Sequence, residues 1–505
     1  MSDEIKILIL PAGKTVRIKK GDSLREVLFN EGVEFPCGGK GRCKSCRIKV
    51  LDGLWEPNNI EIKALGNEAI KEGWRLACQA NVQRDITIEL QKVQDEILTD
   101  DRQFKFEPQD GIGVAIDLGT TTVVAQLIDL STGALLSTTS GLNHQAQFGA
   151  DIMSRITFAL NPENRTIIRN VIVEQIWNMI NELLNSSARN ISELKKVVIC
   201  GNTVMHHLFC GISVESLAFY PFETDNLDLQ IFLPRQLGWE TEKEIKVYFL
   251  PCIGSFVGSD ILCGILSTSI HSNAKLSLLV DLGTNGEIVL GNSEKMYCAS
   301  TAAGPAFEGA KISMGMRATT GAIARMKLNE GKIEYYVIGN TTARGICGSG
   351  LVDAVAIGIA LGWIHRSGKI NGNSPIQLKD SVFITQGDIR ELQLAKGAIA
   401  AGIRLLLDKS KTTAKEVKQS FLAGAFGNYI GIESAKKIGL FSLDLLNISP
   451  AGNTALHGVK TVLCNFSEEE MNFKEIRQKI THINLKELSE FEDVFVDEMA
   501  FPPTT

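Results

Sequence analysis

The chain has 505 residues, 44% of them hydrophobic and 22% charged, and its 52 basic and 58 acidic side chains give a net charge of −6. This balance is typical of globular proteins and excludes a wholly disordered chain, and the missing basic excess argues against a nucleic-acid partner. No apolar run reaches the ~18 residues that span a bilayer, and the start MSDEIKILIL lacks the pattern of a secretory signal, so we expect a cytoplasmic protein without a membrane partner.

The first 92 residues differ in charge from the rest of the chain. They hold 16 basic and 13 acidic side chains, a net charge of +3. Residues 5–10 and 14–19 are apolar or alternating runs around a Pro-Ala-Gly turn, which predicts a β-hairpin. Ser23 opens a helical pattern, and strands are expected at residues 47–51 and 85–90.

Four of the eleven cysteines lie in this region, with the spacing C-x5-C-x2-C-x31-C. A [2Fe–2S] cluster needs four thiolates, and a tight loop can supply three of them. Glycines at 38, 39 and 41 would let backbone N–H groups approach the cluster sulfides. The alternative is a zinc site, which normally uses paired cysteine knuckles, and Cys78 has no neighbouring Cys or His. The predicted cluster ligands are Cys37, Cys43, Cys46 and Cys78.

These residues resemble a known family. The hairpin, the helix, the C-G-G-x-G-x-C-x-x-C loop and the late Cys in L-A-C-Q are similar to a β-grasp [2Fe–2S] ferredoxin. The five-residue first gap resembles the adrenodoxin subgroup more than the plant type. We therefore predict a ferredoxin domain over residues 1–92, followed by a polar linker over residues 93–111. That linker is either a flexible tether or a short helix packed on one of the domains.

The remaining residues, 112–505, contain an internal duplication. Both Gly113–Ala125 and Leu278–Leu290 consist of an apolar strand, an Asp-Leu-Gly-Thr turn and a second apolar strand. Such turns present N–H and hydroxyl donors to phosphate oxygens, and the aspartates are placed to hold a hydrated Mg²⁺. The predicted nucleotide-binding residues are Asp117, Gly119, Thr120, Thr121 and Thr122 in the first copy, and Asp281, Gly283, Thr284, Asn285 and Gly286 in the second.

The two turns resemble the phosphate motifs of the actin, sugar kinase and heat-shock ATPase superfamily. Val197–Thr203 and Gly345–Asp353 resemble its two connecting motifs, and Phe421–Asn428 resembles its adenosine motif. This resemblance adds Gly348, Gly424, Gly427 and Asn428 to the predicted nucleotide-binding residues. The predicted fold class is α+β and α/β: a β-grasp ferredoxin followed by a duplicated actin-like, ribonuclease H-like ATPase with lobes at about 112–275 and 276–505.

Asp260 lies in a stretch similar to the G-D-x-x-x-x-x-G segment of sugar kinases, where the Asp is the general base. By that resemblance it would orient or deprotonate a water for ATP hydrolysis, and Asp117, Asp260 and Asp281 form the predicted catalytic set. The alternative is that Asp260 caps a helix over residues 261–267. His206 and His207 are either corrinoid ligands or structural residues, and we favour the structural role.

Over nearly its full length the chain resembles the reductive activators of corrinoid-dependent enzymes. The resemblance implies an ATP-hydrolysing electron-transfer protein with a [2Fe–2S] cluster, ATP and Mg²⁺. One electron would pass from the cluster to an inactive Co(II) corrinoid protein of a methyltransferase system, restoring Co(I). An external low-potential donor would reduce the cluster, and the protein would form a homodimer.

Three other functions fit parts of the sequence. An ATP-dependent donor to a 2-hydroxyacyl-CoA dehydratase would carry a [4Fe–4S] cluster on cysteines within the ATPase core. A redox-regulated metabolite kinase would need a pocket for a small hydroxyl compound. A redox-sensing scaffold would bind ATP without turnover.

Overall fold

A computed structural model describes residues 4–10, 13–22, 24–31, 33, 41, 46–53, 55–80, 82–90, 106–149, 151–283, 285–309, 311–372, 374–427 and 429–503. The chain divides into two compact units. The N-terminal unit comprises Met1–Asp95 and His144–Phe158, and the C-terminal unit comprises Glu96–Asn143 and Ala159–Thr505. Among the described helices, none combines the length and the apolar character needed to cross a membrane.

The N-terminal unit contains a five-stranded mixed sheet in the order β2-β1-β5-β3-β4. Strands β1 and β2 form the predicted antiparallel hairpin, and β5 runs parallel to β1. Inward-facing residues such as Ile7, Ile48 and Ile88 are almost completely buried, as the alternating sequence predicts. Its elements are β1 (Glu4–Leu10), β2 (Lys14–Lys19), α1 (Leu24–Asn30), β3 (Arg47–Asp52), α2 (Asn59–Leu65), α3 (Asn67–Lys71), β4 (Trp74–Leu76) and β5 (Ile86–Glu89).

A buried carboxylate ties helix α2 to strand β4. Glu61 is fully buried, and its Oε1 accepts a hydrogen bond of 2.9 Å from the Leu76 amide. Its Oε2 accepts from the Asn58 amide at 3.0 Å and so completes the capping box of α2. The strand end that leads into Cys78 is therefore fixed by a satisfied buried group.

The first lobe of the C-terminal unit is a six-stranded sheet in the order β10-β11-β9-β6-β7-β8. Strands β6, β9 and β11 are parallel, and β6, β7 and β8 form an antiparallel meander. Helix α5 packs on β7 and β8. The elements in this part of the chain are β6 (Ile112–Leu118), β7 (Thr122–Asp129), β8 (Leu135–Leu142), α4 (Ile152–Ala159, which belongs to the N-terminal unit apart from its last residue), α5 (Pro162–Ser186), β9 (Leu194–Gly201), α6 (Thr203–Cys210), α7 (Glu215–Ala218), β10 (Gln230–Phe232), β11 (Lys246–Phe249) and α8 (Ser259–Thr268).

The second lobe contains a six-stranded sheet in the order β21-β20-β12-β13-β14-β22 and two smaller sheets. Helix α10 covers β13 and β14. Its elements are β12 (Ser277–Leu282), β13 (Gly286–Gly291), β14 (Met296–Thr301), β15 (Ala322–Asn329), β16 (Lys332–Val337), β17 (Gly345–Ile346), α9 (Gly348–Ala360), β18 (Ile376–Gln377), β19 (Phe383–Ile384), α10 (Gln386–Ser410), β20 (Gln419–Ala423), α11 (Gly424–Gly427), α12 (Ile432–Lys437), β21 (Ile448–Gly452), α13 (Thr454–Asn465), α14 (Lys474–Gln478), β22 (Ile480–His482) and α15 (Phe491–Met499).

The two large sheets repeat one topology. In each, a three-stranded antiparallel meander is continued by two parallel strands, β9 and β11 in the first lobe and β20 and β21 in the second. The last of these strands is followed by a helix, α8 in the first lobe and α13 in the second. This equivalence confirms the duplication that the two D-L-G-T segments predict.

Helices α8 and α13 join the lobes by packing on each other. A Cβ atom on Gly458 would lie 2.1 Å from the Cys263 carbonyl oxygen, and a Cβ on Gly264 would lie 3.3 Å from the Thr454 hydroxyl. Glycine at Gly458 therefore allows backbone-to-backbone approach. A hydrophobic cluster that includes Ala115, Leu262 and Val459 surrounds this crossing.

Candidate functional site: a nucleotide cleft and a cysteine site

The two phosphate turns have the same construction but different lengths. In the first, the Gly119 amide donates to the Thr122 carbonyl at 3.0 Å, whereas in the second the Gly283 amide donates to the Asn285 carbonyl at 3.0 Å. The second turn is thus one residue shorter. Each turn follows the buried strand that carries its aspartate, as predicted.

Four carboxyl groups gather beside these turns. Asp117 is the penultimate residue of β6, Asp281 is the penultimate residue of β12, and Asp260 lies in the first turn of α8. Asp117, Asp260 and Asp281 are surrounded by protein but keep some contact with solvent. The structure therefore brings the three predicted catalytic aspartates into one cleft between the lobes.

Glu287 is the fourth carboxyl group, and sequence reasoning missed it. It lies directly opposite Asp281 in the antiparallel pair of β12 and β13, so both side chains project from the same face of the sheet. Its side chain is buried, with 8% exposure, and its Oε1 lies 3.5 Å from the Ser300 hydroxyl. The signal in the sequence is a single carboxylate within an apolar strand.

Burial raises the pKa values of all four groups, and repulsion by neighbouring carboxylates adds to the shifts of Asp260, Asp281 and Glu287. Desolvation raises the pKa of Asp117 to about 6, partly offset by its hydrogen bond from Asn453. Desolvation and the charge of Asp117 raise the pKa of Asp281 to about 7. Desolvation, then Asp117 and Asp281, raise the pKa of Asp260 to about 7. Burial and the charges of Asp260 and Asp281 raise the pKa of Glu287 well above its ordinary value. A group of this kind favours binding of a cation.

Asn453 is a second residue that sequence reasoning missed. It precedes α13, and its Oδ1 accepts the Leu456 amide at 2.8 Å as the helix N-cap. Its Nδ2 donates to Asp117 Oδ2 at 2.9 Å, so a residue of the second lobe contacts the aspartate of the first. The duplication held the signal, since G-N-T-A-L-H-G at 452–458 is similar to G-S-D-I-L-C-G at 258–264.

The first connecting motif fixes both the first phosphate turn and α8. Asn202 donates from Nδ2 to the Thr120 hydroxyl at 2.9 Å, and its Oδ1 accepts the Met205 amide at 3.0 Å. Ser259 Oγ accepts the Gly201 amide and donates to the Gly201 carbonyl, both at 3.1 Å. The hydroxyl of Thr120 is thereby oriented from the adjacent strand end.

Asp260 is not the N-cap of its helix. Helix α8 begins at Ser259 and its N-cap is Gly258, so the capping interpretation of Asp260 is wrong. A Cβ on Gly258 would lie 2.2 Å from the Gly201 carbonyl oxygen, which is why a side-chain cap does not fit there. Asp260 Oδ1 accepts the Ile261 amide at 2.8 Å, and its other oxygen has no hydrogen bond within the described residues.

The predicted glycines separate into cleft-lining and packing positions. Gly119, Gly283 and Gly424 keep some solvent exposure, whereas Gly286, Gly348 and Gly427 are buried. Gly424 has φ +86°, and a Cβ there would lie 2.8 Å from Asp281 Oδ1. The adenosine motif thus reaches the second aspartate through a position that only glycine fits.

Gly348 allows close packing between the second connecting motif and the backbone at Phe307. A Cβ there would lie 1.9 Å from the Phe307 carbonyl oxygen, and the ring of Phe307 stacks on that of Phe426 with centroids 4.5 Å apart. The second connecting motif therefore packs directly on the adenosine motif. Thr284 and Asn428 lie outside the described residues.

Two of the four predicted cluster cysteines can be described. Cys46 is buried, with 1% exposure, just before β3, and Cys78 follows β4 in a short 3₁₀ turn. The Ala77 amide donates to the Cys46 carbonyl at 2.9 Å, so the two cysteines adjoin. The contact with the Cys46 thiol lowers the pKa of the Cys78 thiol to about 6. Cys37 and Cys43 lie outside the described residues.

The surroundings of Cys46 and Cys78 fit a cluster. Gln79 Nε2 lies 3.5 Å from Cys78 Sγ and can donate to it. Gly41 has φ +67°, and a Cβ there would lie 2.5 Å from the Ile60 side chain. Position 41 therefore does not accommodate a side chain, whereas the predicted approach of backbone N–H groups to the cluster sulfides remains a prediction.

The remaining cysteines and the two histidines are structural. Cys200, Cys252, Cys263, Cys298, Cys347 and Cys464 are buried free thiols, and Cys210 is a half-buried one. His206 and His207 are fully buried in α6, where His207 bonds the Thr203 carbonyl and the Thr224 hydroxyl at 2.9 and 3.1 Å. Burial lowers the pKa of His206 to about 3 and that of His207 to about 4. The structural interpretation of these histidines fits better than the corrinoid-ligand one.

Comparison with known proteins agrees with this geometry. Residues 7–83 match the model of the 2Fe-2S iron-sulfur cluster binding domain. Residues 112–273 match the RACo middle region, and residues 275–505 match the C-terminal domain of RACo, the ASKHA domain. The chain is thus a ferredoxin-type iron–sulfur domain joined to an actin-like, sugar kinase-like ATPase domain, the class that the sequence predicts.

Full-length relatives define the family. The corrinoid activation enzyme RamQ of Eubacterium limosum is 35% identical over 426 residues, covering 77% of this chain and 70% of the relative. The [Co(II) methylated amine-specific corrinoid protein] reductase of Methanosarcina barkeri is 28% identical over 423 residues, covering 77% of each chain. A solved reductive activator for corrinoid, iron-sulfur protein superposes with a TM-score of 0.69 at 30% identity, covering 99% of this chain and 98% of that one. The chain belongs to the family of ATP-dependent reductive activators of corrinoid proteins, as its sequence predicts.

Proposed function

We propose that this protein uses ATP to drive transfer of one electron from its [2Fe–2S] cluster to the Co(II) corrinoid of a methyltransferase system, giving Co(I). The observation that carries the proposal is that one chain holds both an adjoining Cys46–Cys78 pair and a two-lobed nucleotide cleft. A one-electron carrier needs ATP when its acceptor state is rarely populated, since a bias of a few kcal/mol changes that population by orders of magnitude.

ATP would lie across the cleft with its phosphates between the two turns. The amides and hydroxyls of Gly119–Thr122 and Gly283–Gly286 would bind the phosphate oxygens. Asp260, which lies close enough to Asp117 and Asp281 for their charges to raise its pKa, would orient the water that attacks the terminal phosphate and accept its proton. Hydrolysis then yields ADP and inorganic phosphate.

Asp117 and Asp281 would hold Mg²⁺ through its water shell. Within the described ranges, no three His, Cys, Asp or Glu side chains are arranged to hold a metal by themselves. This agrees with Mg²⁺, which takes one or two carboxylates and completes its shell with waters and substrate phosphates. The raised pKa values of the carboxyl groups mean that the cation would displace protons when it binds.

Cys37, Cys43, Cys46 and Cys78 would hold the cluster, and an external low-potential donor would reduce it. Lys40, Arg42 and Lys44, which lie outside the described residues, would complement an acidic corrinoid partner. If replacing these three bases with Glu leaves the rate of corrinoid reduction and its salt dependence unchanged, this docking role is wrong. The same proposal includes three further expectations. The protein is cytoplasmic, and its two domains are residues 1–92 and 112–505, joined by a linker over residues 93–111. It also forms a homodimer, which sedimentation would test.

The decisive experiment is anaerobic visible spectroscopy of a Co(II) corrinoid protein mixed with this protein and a reductant. A Co(I) band that appears only with ATP, and that Cys43→Ser abolishes, is the expected result. ATP-dependent reduction of another acceptor with no Co(I) from several corrinoid partners would favour the dehydratase-type donor. No dependence on ATP would leave a ferredoxin fused to a nucleotide sensor.

A further inference from the structure

Helix α13 makes contacts with two different functional regions through its two ends. At its start, Asn453 caps the helix and donates to Asp117 at 2.9 Å. At its end, the Cys464 carbonyl accepts Gln109 Nε2 at 2.9 Å, and Asn465 Oδ1 accepts the Glu107 amide at 3.1 Å. Glu107 and Gln109 belong to the segment that connects the nucleotide-binding unit to the ferredoxin domain. One helix therefore bridges the nucleotide cleft and the linker.

Gln109 is the centre of the linker contact. Its backbone amide donates to the Leu130 carbonyl at 2.9 Å. Its side-chain Oε1 accepts a hydrogen bond from Lys196 Nζ at 3.1 Å, and its side-chain Nε2 makes the bond to the Cys464 carbonyl. Phe106 packs beside it in the core of the first lobe, where a Cβ on Gly133 would lie 2.7 Å from its ring. Residues 106–111, the last part of the linker predicted over residues 93–111, are thus held by specific bonds to the first lobe and to α13.

The same contact has room to rearrange. A cavity of about 320 Å³ adjoins it, lined by Glu107, Gln109, Lys196, Asn465 and neighbouring residues. Lys196 is half-buried, and desolvation lowers its pKa, so its bond to Gln109 matters more than a surface contact would. Loss of the Gln109 bonds can therefore be accommodated by movement into the cavity instead of by unfolding.

The body of α13 is suited to transmit a displacement. Its twelve residues span about 18 Å, and the two sets of contacts lie at its opposite ends. Val459, Val462 and Leu463 are fully buried, so the helix cannot shift at one end without repacking along its length.

We propose that α13 couples the nucleotide state to the linker, with Asn453 as a positioning residue that responds to Asp117 and with Gln109 as the group that is held or released. The inference rests on the proposed ATP binding. Coupling of this kind is reciprocal. If nucleotide binding weakens the hydrogen bonds of Gln109, loss of those bonds must raise the affinity for nucleotide, and if binding strengthens them, their loss must lower it.

The experiment is hydrogen–deuterium exchange of the full-length, cluster-loaded protein with and without Mg-ATP. Wild type should show a nucleotide-dependent change in exchange at residues 106–111. Asn453→Ser keeps an N-cap oxygen but removes the donor to Asp117, so this change should disappear while α13 stays protected. The matched control is Asn484→Ser, which removes an amide that donates to Glu487 at 2.9 Å outside α13 and the linker, and it should behave as wild type.

The reciprocal arm measures Mg-ATP affinity by titration calorimetry. Gln109→Ala should change the affinity by about fivefold or more, the lower end of typical coupling. Gln377→Ala, which removes an amide bonded to the Asp380 carbonyl at 2.8 Å, should leave it unchanged. If wild type binds Mg-ATP but residues 106–111 exchange at the same rate with and without it, the coupling is wrong and the proposed function stands. If wild type binds no nucleotide, both fail.

Discussion

Asn453 Nδ2 lies 2.9 Å from Asp117 Oδ2, joining two residues 336 positions apart and belonging to different lobes. The bond runs from the start of the interlobe helix in the second lobe to the phosphate strand of the first. It is a direct polar link between the duplicated halves at the nucleotide cleft.

Asp117→Asn should abolish tight binding of Mg-ATP. The substitution removes the charge that would attract the cation and replaces the charge-assisted hydrogen bond from Asn453 with a weaker neutral one. We expect affinity measured by calorimetry to fall at least tenfold, about 1.4 kcal/mol or more. Binding of ATP in the presence of EDTA should change much less, and an equal loss in both conditions would contradict a metal role for Asp117.

Nucleotide binding should depend on pH between about 6 and 8. Asp117, Asp260 and Asp281 have folded pKa values of about 6 to 7, above the unfolded value of 3.8. The nucleotide-free folded protein therefore holds more protons than the unfolded chain, so its free energy of unfolding falls as pH rises from about 4 to about 7. Mg-ATP should release protons on binding, seen as a binding heat that varies with the buffer.

Glu287→Gln tests the same group of carboxyls. The substitution removes a group whose pKa is raised by burial and by the charges of Asp260 and Asp281, so the free energy of unfolding of the nucleotide-free variant should fall less than that of wild type as pH rises. The variant should release fewer protons than wild type when it binds Mg-ATP. The protons that it still releases come from ATP itself and from the three aspartates. An unchanged pH dependence of the unfolding free energy together with unchanged proton release would show that Glu287 is not part of the group.

Gly424→Ala should weaken nucleotide binding and destabilise the second lobe. The new Cβ would lie 2.5 Å from the Leu282 carbonyl oxygen at a φ of +86°, so both sterics and backbone are unfavourable. We expect a loss of about 1–3 kcal/mol in unfolding free energy. Gly331→Ala, also at positive φ (+78°) but with nothing within 4 Å, is the control and should bind ATP normally. Equal behaviour of the two variants would show that the approach to Asp281 is unimportant.

Cys78→Ser should remove the visible absorption of the cluster while ATP binding persists. Cys78 adjoins Cys46 at the predicted cluster, whereas Cys210 lies in the other unit on α6. Cys210→Ser should therefore keep the full iron and sulfide content after anaerobic reconstitution. A cluster that survives Cys78→Ser would place the fourth ligand elsewhere.

The sequence predicts the fold because its patterns are local. The hairpin at 4–19 and the two D-L-G-T turns are each specified by a few neighbouring residues, and their repetition predicts the two-lobed architecture. The cysteine spacing likewise predicts that Cys46 and Cys78, which are separated by 31 residues, adjoin as ligands of one cluster.

The sequence could not show the fourth carboxyl group, because that depends on register. Aligned on D-L-G-T, Glu287 corresponds to Val123, yet Val123 pairs with Leu118 whereas Glu287 pairs with Asp281. The second turn is one residue shorter, and a shift of one residue moves a side chain to the other face of a strand. Asn453 was missed for a different reason: its contact joins two lobes, and no local pattern records which helix end meets which strand.

The glycine crossing of α8 and α13 has a mechanical consequence. Where Gly458 meets the Cys263 carbonyl, backbone touches backbone, so no rotamer change at that point can absorb a movement. The contact between α8 and α13 is therefore rigid, and a tilt of α8 caused by a change at Asp260 should be transmitted to α13. A larger side chain at position 458 would push α13 away from the backbone of α8 at Cys263 and so separate the two lobes at this contact.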